Sequence, residues 1–417
     1  MRTWRMLAVF ALLWPLAAAD LVPARPEEVG LSAERLGRIR TAMQRYVDRS
    51  AVPGVVTLVA RRGRVAHLEV VGKMDLEANK PMRADTIFRI ASMTKPIASV
   101  AAMMLYEQGH FLLTDPVSKF LPELKNPRVA MPPQPGHLAE TTFLTVPAQR
   151  EINIRDLLTH TAGFPSSGGI TSEAYRQFVA ERKPEDTVGD MTLRLAKLPL
   201  KFHPGTQWDY GVSTDVVGRL VEVISGVSLD EFLRERIFKP LGMNDTYFYL
   251  PEEKAGRFAA AYAPAEKGLK LVDAPSTSSR VRGPKKYFSG AGGLVSTASD
   301  YLRFSQMSLN GGELEGARLL SRKTVELMTS NHIGNLAMWP TLGGYRFGLG
   351  YRVRTHLGES AVSGSVGEFG WGGAFCTYFW IDPKEQMIGI LMTQVRPYTH
   401  LNIRQEFQVL ANAAIID

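Results

Sequence analysis

Hydrophobic positions along this chain switch between helical and strand periods. Near the N-terminus, "SAERLGRIRTAMQRYVDRS" sets Leu36, Ile39, Met43 and Tyr46/Val47 at helical spacing, with Ser32 ahead of them as a cap. The next stretch, "GVVTLVARRGRVAHLEVVG", is β-rich on both sides of Arg62-Gly63, which predicts a hairpin turned at that dipeptide. Helical spacing returns from Met93 to Gln108 through Ile97, Val100, Ala101, Met104 and Leu105, and Gly109 ends it. From 92 to 284 helical patterns dominate, broken by Pro- and Gly-rich loops such as "NPRVAMPPQPGH" and "FPSSGG". Strand patterns resume in "YRFGLGYRV", "FGWGGAFCTYFWIDP" and "EQMIGILMTQ", with Asp382-Pro383 turning the chain between the last two. A helix, "LNIRQEFQVLANAAI", closes the chain.

Strands from both ends of a sequence join most simply in one antiparallel sheet with the terminal helices packed on it. The predicted fold class is α/β in the α+β sense, with a mainly helical lobe inserted into the sheet lobe. Residues 20–91 and 285–417 form the sheet lobe, residues 92–284 the helical lobe, and a ligand site is expected in the cleft between them.

Composition changes this picture in few places. A hydrophobic fraction of 45% fits a globular chain with a sizeable core. Residues 1–19 carry Arg2 and Arg5, an apolar run from Met6 and Ala17-Ala18-Ala19, the pattern of a cleavable export signal; the run is too short to span a bilayer. No later segment reads as a membrane span, so an exported protein, periplasmic or secreted, is predicted. The single cysteine, Cys376, can form no intramolecular disulfide, and no compact metal-ligand spacing occurs, so neither metal nor cofactor is expected. The net charge of +8 is scattered without a long basic block, which argues against nucleic acid as a partner.

Candidate chemistry starts at "RIASMTKPIASV", where Ser92 stands at the start of a helix and Lys95 one turn along on the same side. A capping serine is the bland reading. Against it, a cation in the first turn opposes the helix dipole, so Lys95 is poorly explained as helix support. A serine hydroxyl is a weak nucleophile until a neighbouring group takes its proton. The rival nucleophile elbow, Gly-x-Ser-x-Gly, is absent: "SGSVG" at 363–367 begins with Ser363 where Gly is needed. His160 in "LLTHTAG" is read as a structural loop histidine rather than the base of a Ser-His-Asp triad.

Two further stretches complete a pattern. "FHPGTQWDYGVSTDVVG" places Tyr210 before a helix capped by Ser213, and "FGWGGAFCTYFWIDP" places Trp371-Gly372-Gly373 on a strand. With Ser92-Met93-Thr94-Lys95 these resemble the serine β-lactamase and penicillin-binding-protein superfamily, specifically the class C β-lactamase-like family VIII carboxylesterases. "DPVSKFLPE", "LLTHTAGF" and "GAGGLVSTASDYLRF" extend the resemblance over nearly all of the chain after residue 19.

The resemblance implies that Ser92 is the nucleophile, Lys95 its proton partner and Tyr210 the residue passing the proton to the leaving group. It implies an oxyanion hole from the backbone N–H groups of Ser92 and Ala374, with Gly372 and Gly373 letting substrate approach the strand. Val212 replaces the Asn of the superfamily's Tyr-x-Asn motif, and Trp371 replaces the Lys of Lys-Thr-Gly. Both changes remove groups that suit β-lactams; an indole wall and an apolar Val212 suit the apolar part of a small neutral ester. Short-chain carboxylesterase activity with β-lactam hydrolysis as a side activity is therefore expected. β-Lactamase, D,D-peptidase or amide hydrolase activity, or a non-catalytic peptidoglycan sensor, stand as alternatives.

Overall fold

A computed structural model describes residues 22–132 and 143–417. The export-signal reading at residues 1–19 lies outside the described residues.

The first helix spans Ala33–Asp48, and Ser32 caps it as predicted, its Oγ accepting from the Arg35 N–H at 3.2 Å. Leu36, Ile39, Met43 and Tyr46 are buried among Trp380, Leu391, Ile403 and Phe407. The closing helix, Ile403–Asn412, lies beside it on the same face of the sheet. The hairpin also forms: Gly54–Arg61 and Arg64–Asp75 pair antiparallel. Arg62 and Gly63 both have positive φ, 53° and 72°, which a two-residue turn needs to match strand twist.

The main sheet has eight strands. Its order is Tyr345–Phe347, Arg352–Arg354, Phe369–Gly372, Tyr378–Asp382, Met387–Met392, Gly54–Arg61, Arg64–Asp75 and Lys80–Pro81. The two ends of the sequence meet where Val56 pairs with Met392 and Arg61 with Met387. Every residue of Gly54–Arg61 is buried, because helices cover both faces there: the terminal pair on one, Ala298–Leu309 on the other.

Two predicted strands are each a pair of short ones. "FGWGGAFCTYFWIDP" breaks at 373–377, where the Gly373 N–H bonds Thr377 O (2.8 Å) and Cys376 takes a φ of 69°. "YRFGLGYRV" breaks around Gly350, whose φ is 89° and whose missing Cβ leaves room for Ser99 Oγ.

The segment 92–284 holds far more helix than strand, with long turns and loops between the helices, and includes two small hairpins, Arg128–Met131 with Leu144–Pro147 and Ala261–Pro264 with Leu269–Asp273. The helix Thr94–Glu107 is buried all round from Thr94 to Leu105, beyond the one-sided stripe its spacing suggested. One apolar core runs from Leu58 and Ile390 of the sheet through Ile97 and Val100 to Leu157, Val216 and Leu229. Ser92 and Lys95 therefore stand at the start of a helix packed into that core.

Candidate active site

Ser92 lies in a short 3₁₀ turn, Ala91–Met93, that feeds the buried helix Thr94–Glu107. The turn is pinned from several sides. Met93 N–H bonds Ile90 O (3.1 Å), Ile90 N–H bonds Leu294 O (3.1 Å), and the Tyr301 hydroxyl donates to Met93 O (2.9 Å). Ala91 is held at a φ of 45°, a left-handed conformation that a non-glycine residue adopts only when its surroundings impose it. Met93 occupies the N-cap position without a side-chain cap bond, so Ser92 is not a capping serine.

The Ser92 hydroxyl instead meets Lys95, whose Nζ donates to Oγ at 3.2 Å and to Ala291 O at 2.7 Å. Lys95 is almost wholly buried, and its Nζ lies 4.5 Å from the centroid of the Tyr210 ring. The Tyr210 hydroxyl accepts the indole N–H of Trp371 at 3.2 Å. These four residues, drawn from three distant parts of the sequence, thus form one connected set.

Tyr210 sits in an aromatic nest. Ring centroids lie at 4.8 Å for His160, 5.1 Å for Trp339, 5.3 Å for Trp371 and 6.2 Å for Trp208. His160 ends the helix Ile154–Thr159 in a left-handed conformation and has no bond to Ser92. Burial pushes its imidazole well below the ordinary histidine range, and Lys95 adds to the shift. A neutral packing residue is the result.

One expectation about this segment fails. Val212, not Ser213, holds the N-cap position of the helix Ser213–Ser225, and no side chain caps it. The first turn is closed by backbone, Asp215 N–H to Val212 O at 2.8 Å. The Asp215 carboxylate is turned elsewhere: its Oδ1 accepts from Ser289 Oγ (2.6 Å) and from the Ala291 N–H (3.0 Å). Burial pushes the Asp215 carboxyl up, while those two bonds and the charge of Lys95 pull it back. Ala291 is thus held through its N–H by Asp215 and holds Lys95 through its carbonyl. Nothing in the sequence distinguished Asp215 from an ordinary acidic residue in a first helical turn.

Trp371 is buried in the strand Phe369–Gly372, which packs against the Ser92 turn. The room left by the two glycines is taken by protein. A Cβ on Gly373 would stand 2.2 Å from Ile90 O, and one on Gly372 would stand 2.8 Å from the Arg404 guanidinium. Arg404 also donates to Gly373 O. The glycines therefore let the strand end close on the chain that carries the serine. Neither the Ser92 nor the Ala374 backbone N–H meets an acceptor among the described residues. Val212 is half-buried against the core beside Tyr210. Among the described residues no cluster of His, Cys, Asp and Glu could hold a metal ion, and no helix is long and apolar enough to cross a membrane.

An antiparallel sheet flanked by helices, with a lysine-bonded serine in front of a buried helix and a tyrosine across from it, defines a class of serine acyl-transfer proteins. The chain belongs to the beta-lactamase family, whose model matches residues 39–413, and so to the serine hydrolases of that superfamily. It is 34% identical to Protein Rv1367c of Mycobacterium tuberculosis over 370 residues, 86% of this chain and 90% of that one. It is 28% identical to Esterase EstB of Burkholderia gladioli over 395 residues, 88% and 93% of the two chains. The structure of EstCE1, a hydrolase with promiscuous acyltransferase activity, superposes with a TM-score of 0.76 at 26% identity, covering 92% of this chain and 99% of that one.

Proposed function

We propose that this protein is a serine carboxylesterase acting on short-chain esters through an acyl-enzyme on Ser92. The observation that carries the reading is the 3.2 Å bond from Lys95 Nζ to Ser92 Oγ, with the Tyr210 ring 4.5 Å from the same nitrogen. Ser92 Oγ attacks the ester carbonyl, its proton passes to the Lys95–Tyr210 pair, and the tetrahedral oxyanion lies against the Ser92 and Ala374 N–H groups. The carbon–oxygen bond to the alcohol then breaks, and Tyr210 delivers the proton to the departing oxygen. Water repeats the sequence on the acyl-enzyme, releasing the acid and restoring Ser92.

Similarity to Esterase EstB supports ester over lactam as the preferred substrate. So does Trp371: its N–H reaches the tyrosine oxygen without presenting a cation to a substrate carboxylate. Two sequence readings belong to this proposal. The site lies between a sheet lobe (20–91, 285–417) and a helical lobe (92–284), and residues 1–19 are removed on export.

A fluorophosphonate should modify the peptide containing Ser92, seen by mass spectrometry, and Ser92→Ala should abolish turnover; an unmodified Ser92 peptide overturns the assignment. Ester preference is read from kcat/KM for p-nitrophenyl acyl esters against a chromogenic cephalosporin. A clear preference for the cephalosporin would make this chain a β-lactamase.

A further inference from the structure

Trp339 lies on the loop between the helix Arg322–Met328 and the strand Tyr345–Phe347. It leaves 44% of its surface to solvent, and among the described residues it is the one exposed aromatic side chain. Its pose is nevertheless fixed. The ring meets Trp208 at 5.2 Å and 86°, Tyr210 at 5.1 Å and 66°, and Trp371 at 6.4 Å and 25°. Three aromatic contacts hold an indole whose remaining apolar surface is left in water, an unfavourable exposure that a ligand ring would relieve. Trp339 and Trp371 already contact each other at their separation, so a further ring has no place between them and must cover the open side of Trp339.

The position of that open surface selects a part of the substrate. Under the esterase reading, on which this inference rests, Tyr210 gives its proton to the alcohol oxygen, so the alcohol's carbon substituent leaves on the Tyr210 side. Trp339 packs directly on Tyr210. We propose that Trp339 is a specificity-determining residue that selects esters whose alcohol bears an aromatic ring, by stacking on that ring. The covalent step is unchanged: the Ser92 Oγ–acyl bond forms, the acyl–alkoxy bond breaks, and the arylalkyl alcohol departs with the proton.

The test compares 2-phenylethyl acetate with hexyl acetate. Both give the same acetyl-enzyme and release alkyl alcohols of similar acidity, so the ratio of kcat/KM values reports contacts to the alcohol. Wild-type protein should favour the aryl ester by about five- to ten-fold, the scale of one aromatic contact. Trp339→Leu should bring the ratio to about one, and Trp339→Phe should keep it at about two or more. 2-Phenylethanol should also inhibit wild-type enzyme at lower concentration than hexanol, a measurement that needs no variant. Turnover of both acetates with a wild-type ratio near one overturns this inference alone; so does a ratio unchanged by Trp339→Leu. No turnover of either acetate overturns the esterase reading beneath it.

Discussion

Asp215 offers the sharpest perturbation, because both of its hydrogen bonds fall on one oxygen. Ser289 Oγ and the Ala291 N–H each donate to Oδ1, so an asparagine with its amide oxygen in that place keeps both bonds and removes only the charge. Asp215→Ala removes the acceptor. Two partly buried donors then lose their partner, at about 1 kcal/mol each. The segment carrying the Ala291 carbonyl, the 2.7 Å acceptor of Lys95, is released as well. A displacement of about 1 Å at a catalytic group is worth about 10²-fold in rate, or about 2.7 kcal/mol. The expected result for Asp215→Ala is a stability loss of about 2 kcal/mol in urea unfolding and a fall in kcat of about 10²-fold on a short-chain ester.

Asp215→Asn should keep kcat within about ten-fold of wild type. It should also match or exceed wild-type stability, with a pH dependence whose sign follows from burial. The folded carboxyl holds its proton more tightly than the unfolded one. The wild-type protein therefore loses stability as pH rises from the unfolded value through the raised folded value, and Asn does not. The advantage of Asn should be larger at pH 8 than at pH 4. Near-wild-type kcat in Asp215→Ala would refute the reasoning. So would an Asn variant that folds yet is as inactive as Ala, since charge and not position would then be what Lys95 requires.

Trp371→Phe keeps an aromatic ring but deletes the N–H donated to Tyr210, and should lower kcat by about two- to ten-fold, the worth of one hydrogen bond; an unchanged kcat removes Trp371 from the proton path. Gly373→Ala drives a methyl against Ile90 O, two residues before Ser92, so it should lower both Tm and kcat; a variant with wild-type Tm would show that the strand end can retreat at no cost. His67 is buried beside Thr57 Oγ1 at 2.9 Å, and burial lowers its imidazole to about 4 from an ordinary 6.5. The unfolded chain then takes up the proton first, so up to about 3 kcal/mol is lost as pH falls from about 6.5 to about 4. His67→Gln should flatten that part of the urea-unfolding profile, and an identical slope in both proteins would assign the acid sensitivity elsewhere.

What the sequence announces is what side chains and turn residues encode locally. Arg62-Gly63 marks the hairpin because a two-residue turn needs positive φ, and Ser32 marks a helix start because its hydroxyl accepts a first-turn N–H. Ser92, Lys95, Tyr210 and Trp371 are legible because each lies in a short motif. The Ala291 carbonyl is not, since every residue has a carbonyl and only the fold decides which one faces a lysine. Asp215 is hidden for the same reason: its role is defined by Ser289 and Ala291, which lie far along the chain. Trp339 carries no local sign, because its meaning comes from three aromatic rings contributed by other segments. The break between Phe369–Gly372 and Tyr378–Asp382 is obscured by apolar residues that continue through the turn.

The seam between Gly54–Arg61 and Met387–Met392 has a consequence for how the molecule comes into being. A strand near the start of the chain has its second neighbour near the end, so the sheet closes only after almost everything between has been synthesised. Contacts this distant make for slow folding, because a very long loop must be ordered before pairing rewards it. Until then the apolar edge of the early hairpin is unpaired, and an unpaired apolar edge is prone to pair with other chains. The same closure that delays assembly ties an early strand to a late one, so unfolding that reaches Gly54–Arg61 or Met387–Met392 must break the centre of the sheet.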